Sequence, residues 1–304
     1  MNDSRAVQNG PHAVVLWTLL FSLFSMAMLL GNRGLLKQLP FPQGLTCIQL
    51  SFAVTSVFPF VLKSGRTQLS NRGFACYVVE GVLFSLSILA SLKSLSLTNI
   101  GTMTIARSLL PIVVFAVERA VGLKVALSRQ SVFSLFGVVS FGVVYAVDAK
   151  GVEANVLGLC WTLAWIVLLA GQMVYGKWLV TAVEVKQLER VLYTNAFGLP
   201  LLIPSSIQEL RYFYTELTSV TAFFLILTCV VGVGIGYASW ELRSIVTATT
   251  FSLIGVLNKV GTICLAFLIW PEEGSFVSFA ALMGCLISGT FYQGATREIF
   301  PTKP

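Results

Sequence analysis

Charge is scarce in this chain. Only 11% of its 304 residues are Asp, Glu, Lys or Arg, against 56% hydrophobic residues, and the mean hydropathy is +0.84. A soluble domain carries roughly 25% charged residues, so this chain cannot coat itself against water and its outer surface must face lipid. Histidine is nearly absent, with His12 alone, and the six cysteines show no CxxC or CxxH spacing. A metal centre and a disulfide framework are thereby excluded, and no cofactor is implied. Cys47, Cys76, Cys160, Cys229, Cys264 and Cys285 all lie in apolar stretches and read as buried, reduced thiols. A formal net charge of +7 could serve a nucleic-acid partner, but the basic residues are scattered through short loops rather than clustered, which excludes that partner. A cleaved leader is also missing from the pattern. The run Ala13 to Leu30 is followed by Gly31-Asn32-Arg33 instead of a small-residue cleavage site, so it reads as a first span.

What is present is a series of apolar runs, each near the roughly 20 residues that a membrane-crossing helix needs. Division at charged and Pro/Gly-containing loops predicts spans over 13–31, 43–62, 74–96, 99–118, 130–147, 154–177, 188–207, 219–240, 245–270 and 275–293. The fold class is all-α: a polytopic membrane protein of about ten transmembrane helices. With ten spans both termini share one side. That side and its loops hold thirteen Lys/Arg (Arg5, Lys63, Arg66, Arg72, Arg119, Lys124, Arg129, Lys177, Lys186, Arg190, Arg243, Arg297, Lys303), and the other side holds five. The bias predicts cytoplasmic termini, with Glu272 and Glu273 on the far face. A short internal match, Ile100-Gly101-Thr102-Met103-Thr104 against Ile245-Val246-Thr247-Ala248-Thr249, predicts two five-helix repeats, 1–150 and 151–304. Five being odd, they would insert in opposite orientations, a common transporter plan.

Few polar groups sit deep in these spans, and such groups are costly and usually functional. Lys259 lies about fourteen residues into the ninth span, near mid-bilayer at ~1.5 Å per residue. Gly255, Ser252 and Ala248 share its face and Asn258 adjoins it. A cation beside small residues lets an anionic ligand such as a phosphate approach the helix. The structural alternative is an ion pair with Glu80 or Glu118. Arg107 in the fourth span offers a forked phosphate contact or a structural pair with the same carboxylates. In the seventh span Tyr193-Thr194-Asn195 brings directional donors and acceptors, suited either to reading a ligand edge or to interhelical bonding. Gly232, Gly234 and Gly236 lie in an apolar run without a strand before them, so they read as helix packing and not as a dinucleotide loop.

The run Ala248-Thr249-Thr250-Phe251-Ser252-Leu253-Ile254-Gly255-Val256-Leu257-Asn258-Lys259 resembles the ninth-span signature of GDP-mannose transporters, nucleotide-sugar carriers of the drug/metabolite transporter superfamily. Those carriers show Thr-Thr-Tyr-Ser followed by Gly-Ala-Leu-Asn-Lys. Leu192-Tyr193-Thr194-Asn195 stands where the family has Phe-Tyr-Asn-Asn, and Asn32-Arg33, Phe41-Pro42 and Gln49 are similar to further family positions. Thr104 through Arg107 to Glu118 is similar to fourth-span patterns among these carriers. The resemblance implies an antiporter in the Golgi or a related endomembrane, importing GDP-mannose or a related GDP-sugar and returning GMP, as a single chain or a homodimer. It assigns Tyr193, Thr194 and Asn195 to the base, Ser252, Gly255, Asn258 and Lys259 to the rest of the ligand, and leaves Arg107 as a further phosphate contact. Leu192, Thr194 and Phe251 depart from the motifs. Thr194 lacks an amide's paired donor and acceptor, and Phe251 lacks a hydroxyl.

Other readings remain at this point. One is a carrier of the same superfamily for UDP-sugars, sugar phosphates or phosphate. An intramembrane transferase would need acidic or histidine residues at the membrane surface; no predicted span holds an Asp and His12 lies outside them all, so the chain reads as no enzyme. A non-transporting assembly subunit gives no reason for Lys259 amid small residues.

Overall fold

The structure, a computed structural model, describes residues 11–65, 69–98, 100–123, 125–150, 156–269, 275–292 and 296–297. Inside helices it leaves a few side chains undescribed, Lys259 among them. The described residues form ten α-helices and one two-stranded ribbon. They are α1 (Pro11–Gln38), α2 (Pro42–Lys63), α3 (Asn71–Leu97), α4 (Ile100–Ala120), β1 (Val125–Ala126), α5 (Arg129–Lys150), α6 (Val156–Ala182), α7 (Gln187–Thr215), α8 (Ser219–Ile245), α9 (Ala248–Ile269), α10 (Phe276–Thr290) and β2 (Thr296–Arg297). Six are long and apolar enough to cross a membrane by length and composition, namely α1, α2, α3, α5, α6 and α8. The all-helical, polytopic membrane class stands on these. Helix α7 is more polar, because it carries Glu189, Arg190 and Glu209.

Nine of the ten predicted spans overlap a single helix, the ninth (245–270) begins on Ile245 at the end of α8 and continues over α9, and most helices run further than the apolar windows. Helix α1 starts at Pro11 and takes in His12, and α5 continues through Asp148; both residues were expected outside the spans. Hydropathy marks where side chains turn polar, whereas the helix ends only where backbone bonding stops. After α2 and α4 that stop is a glycine with positive φ, Gly65 (74°) and Gly122 (81°). At α4 the Gly122 N–H bonds Arg119 O and the Leu123 N–H bonds Glu118 O, a left-handed cap that only glycine adopts without strain.

The chain divides into two compact units, Met1–Leu89 with Trp178–Ile245, and Ala90–Lys177 with Val246–Pro304. Each draws helices from both halves of the sequence. In the first, α2 packs on α7, α1 on α8, and α8 on both α2 and α7; its core joins Leu35, Leu39, Leu45, Phe213, Leu225 and Cys229. The glycine run of α8 contributes at Gly234, where a Cβ would stand 2.9 Å from the Phe24 ring of α1. In the second, α5 packs on α10, α4 on α5, and α9 on α4 and α10, around Leu135, Val138, Leu253, Val256 and Leu282. The ribbon, antiparallel with Val125 opposite Arg297, ties the α4–α5 loop to the segment after α10.

All five described cysteines are free, but only Cys47, Cys229 and Cys285 are buried; Cys160 is exposed and Cys76 half-buried. An apolar flank does not distinguish a lipid-facing position from a core one, which is why burial of all six was expected from the sequence.

Candidate functional site

Helix α7 positions the Tyr193-Thr194-Asn195 group in the first unit. The helix starts after Lys186, whose ammonium reaches Ser64 O (2.5 Å), Ser64 Oγ (2.8 Å) and Gly65 O (3.1 Å) at the C-terminus of α2. One turn on, Arg190 donates to Tyr77 Oη (3.1 Å) and to the carbonyls of Val180 (3.3 Å) and Val183 (2.9 Å), closing the end of α6. Tyr77 in turn lies 5.3 Å, ring to ring, from Tyr193, which stacks on Phe197 at 6.2 Å. Tyr193 and Thr194 are buried. The Thr194 hydroxyl has no hydrogen-bond partner among the described residues, while Asn195 donates its amide to Val191 O (2.7 Å) within its own helix.

Beside this group lies a buried charge cluster that sequence reading missed as a unit. Arg243 of α8 pairs with Glu80 of α3 at 3.3 Å, and its guanidinium stands 5.0 Å from the Trp240 ring, which Arg190 approaches to 5.7 Å. Glu80 is thus the partner of Arg243. The signal was present as two charges in apolar helices, yet the pairing of residues 163 apart is a matter of tertiary contact.

Helix α9 carries the other group, in the second unit. Its first turn is fully bonded: the Thr250 N–H donates to Thr247 Oγ1 (3.1 Å), and the Glu118 carboxylate of α4 accepts the Ala248 N–H (3.1 Å) and the Thr249 hydroxyl. Along the face that leads to Lys259, Ser252 is buried and gives its hydrogen to Thr249 O (2.7 Å), and the adjoining Asn258 is buried too. Gly255 differs from most glycines here, since a Cβ added to it would meet no described atom within 4 Å. At Gly289, by contrast, the Leu257 side chain already fills that position. Open space therefore adjoins α9 at Gly255, one turn before Lys259, whose side chain lies outside the described residues, as do those of Thr102 and Thr104. Residues Glu272 and Glu273 lie outside them as well.

Arg107, on α4, is half-buried and lies 5.4 Å from the ring of Trp165 on α6. Of the two carboxylates considered for it, Glu118 accepts from the first turn of α9, and Glu80, in the other unit, pairs with Arg243. Cation–π contact stabilises a guanidinium by ~0.5–2 kcal/mol or more without neutralising it. Trp165 is a further residue at this position that the sequence reading did not single out; an aromatic in an apolar helix gives no signal of its own.

No family model matches the chain. It is 23% identical to a GDP-mannose transporter of Arabidopsis thaliana, with 87% of this chain and 74% of that protein covered. It is 24% identical to GDP-fucose transporter 1 of the same plant, over 98% of this chain and 90% of that one. A solved crystal structure matches at a TM-score of 0.67 with 15% identity, covering 92% of this chain and 96% of its own, which bears on the fold alone. Similarity to GDP-sugar transporters over most of the chain bears out the resemblance drawn from the ninth-span motif.

Proposed function

We propose that this protein is a membrane transporter of GDP-sugars, not an enzyme, and that it works as an antiporter in the Golgi or a related endomembrane, taking up GDP-mannose or a related GDP-sugar and returning GMP. The observation that carries the reading is the similarity to transporters named for GDP-mannose and GDP-fucose along 87% and 98% of the chain. The α9 stripe supplies the chemistry: Gly255 adjoins open space, and Lys259, one turn on, offers the charge for a diphosphate. Arg107, backed by Trp165, adds a second cation, and Tyr193, Thr194 and Asn195 read the base. Exchange follows if the cationic site cannot change its facing without a phosphate to neutralise it, because a ligand shifts an equilibrium only by its differential affinity for the two states.

The architecture we propose is ten spans in two inverted repeats, with both termini cytoplasmic. Helix pairing within the units supports it. Helix n lies beside helix n+5 in three packed pairs, α2 on α7, α4 on α9 and α5 on α10, and Glu80 of α3 pairs with Arg243 of α8, while α1 packs on α8. A thermal-shift panel on the purified protein tests the substrate class. GMP, GDP-mannose and GDP-fucose are expected to raise the melting temperature, since a ligand at 100 times its Kd adds ~2.7 kcal/mol. Stabilisation by UMP or UDP-sugars in preference to GMP would sink the guanine assignment in favour of a UDP-sugar carrier.

A further inference from the structure

Carboxylates occupy a recurring place in this fold. In each of three helix pairs, an acidic side chain near the C-terminal end of one helix closes the N-terminus of the other. Glu209 of α7 accepts the Gln43 and Gly44 N–H groups of α2 at 2.7 and 2.8 Å, where the N-cap residue Phe41 provides no side-chain bond. Asp148 of α5 accepts the hydroxyl of Ser278 in the first turn of α10 at 2.7 Å. Glu118 of α4 accepts from Ala248 and Thr249 in the first turn of α9. The first four N–H groups of any helix lack partners within it, and a carboxylate suits the positive end of the helix dipole.

The three differ in exposure. Asp148 is exposed and Glu209 half-buried, so water can stand in for either. Glu118 is 2% exposed, and nothing replaces it there. Without the carboxylate, a buried N–H and a hydroxyl lose their acceptor, and unsatisfied buried polar groups are costly. The first turn of α9 then frays or slides to find another. A slide of one residue is ~1.5 Å and ~100° of rotation, enough to carry Gly255 and Asn258 off their face.

We infer that Glu118 is a positioning residue for transport: it fixes the axial and rotational setting of α9, and through it the ligand stripe from Ser252 to Lys259. The inference rests on the reading of α9 as the substrate helix. Purified Glu118→Ala, Glu118→Gln, Thr249→Val and Asp148→Asn test it by GMP and GDP-mannose binding, by GMP exchange in liposomes and by amide hydrogen exchange along α9. Glu118→Ala is expected to raise Kd at least tenfold. Glu118→Gln, which keeps an amide oxygen for the Ala248 N–H, recovers most of that loss, and Asp148→Asn binds as the unaltered protein does. Binding by Glu118→Ala within twofold of the unaltered protein overturns the inference, as does equal damage from Ala and Gln. If Glu118→Ala does not fold, Thr249→Val decides, with at least a threefold rise in Kd expected and unchanged binding overturning it. Should the unaltered protein bind neither guanine ligand, the GDP-sugar reading falls on its own, and hydrogen exchange judges Glu118 separately. In that case faster exchange from Ala248 through Asn258 in Thr249→Val or Glu118→Gln supports positioning of the helix, and exchange confined to its first turn refutes it.

Discussion

At the scale of single residues, the proposed function divides the charges inside this protein into those the protein neutralises itself and those it leaves for a ligand. Arg243 belongs to the first kind. Arg243→Ala strands Glu80, a fully buried carboxylate, and breaking a buried pair in this way costs ~3–5 kcal/mol, so the melting temperature is expected to fall sharply with or without nucleotide. Lys259 is assigned to the second kind. Its replacement by alanine is expected to abolish GMP exchange while melting stays normal, because the partner left uncompensated is the substrate's phosphate, at ~2–5 kcal/mol. A Lys259→Ala protein that melts early irrespective of ligand would place Lys259 in a structural pair instead, and one that melts normally and binds GMP unchanged would refute both roles. Thr194 allows a finer test. Its hydroxyl is buried without a described partner, so Thr194→Asn restores a directional donor and acceptor where the resembling motif has one. The substitution is expected to sharpen preference for GMP over UMP in competition binding, and equal discrimination before and after would remove Thr194 from the base site.

At the scale of helices, glycines separate packing faces from the open one. A Cβ on Gly81 of α3 would meet Phe197 Cβ at 2.7 Å and Gly198 N at 2.9 Å on α7, and backbone atoms cannot rotate away. Gly81→Ala is therefore expected to destabilise by ~1–3 kcal/mol, as overpacking does, read as a lower melting temperature. Gly255→Leu, by contrast, faces open space. It should melt normally yet lose nucleotide affinity, and unaltered affinity would mean that the ligand does not pass that face. These pairs also show why some elements were legible early. The apolar runs of α2, α3, α5 and α8 are long, so their existence followed from composition, while the polar last turns of α7, from Gln208 to Thr215, lay beyond its apolar window. The caps at Glu209, Asp148 and Glu118 were not legible at all, since each joins residues more than a hundred positions apart.

At the scale of the molecule, the Lys/Arg bias of thirteen to five and the ten described helices lead to one topological expectation. Single cysteines introduced near the two termini should be labelled by a membrane-impermeant reagent from the same, cytoplasmic side of sealed vesicles, in a background from which the native cysteines have been removed. Labelling from opposite sides would require an odd number of spans and would undo the inverted repeat.

The sequence by itself determined the membrane class, the order of the described helices, and the motifs on α7 and α9 that carry the resemblance. Those depend on composition and on local periodicity, which each stretch of chain holds within itself. Only the tertiary structure decided that the compact units interleave the two halves of the chain, that Glu80 answers Arg243, that Trp165 backs Arg107, and that Glu118 closes the first turn of α9. Each of these is a choice of partner among many chemically equivalent residues, and that choice is made by which helix faces pack together, a property no single segment encodes.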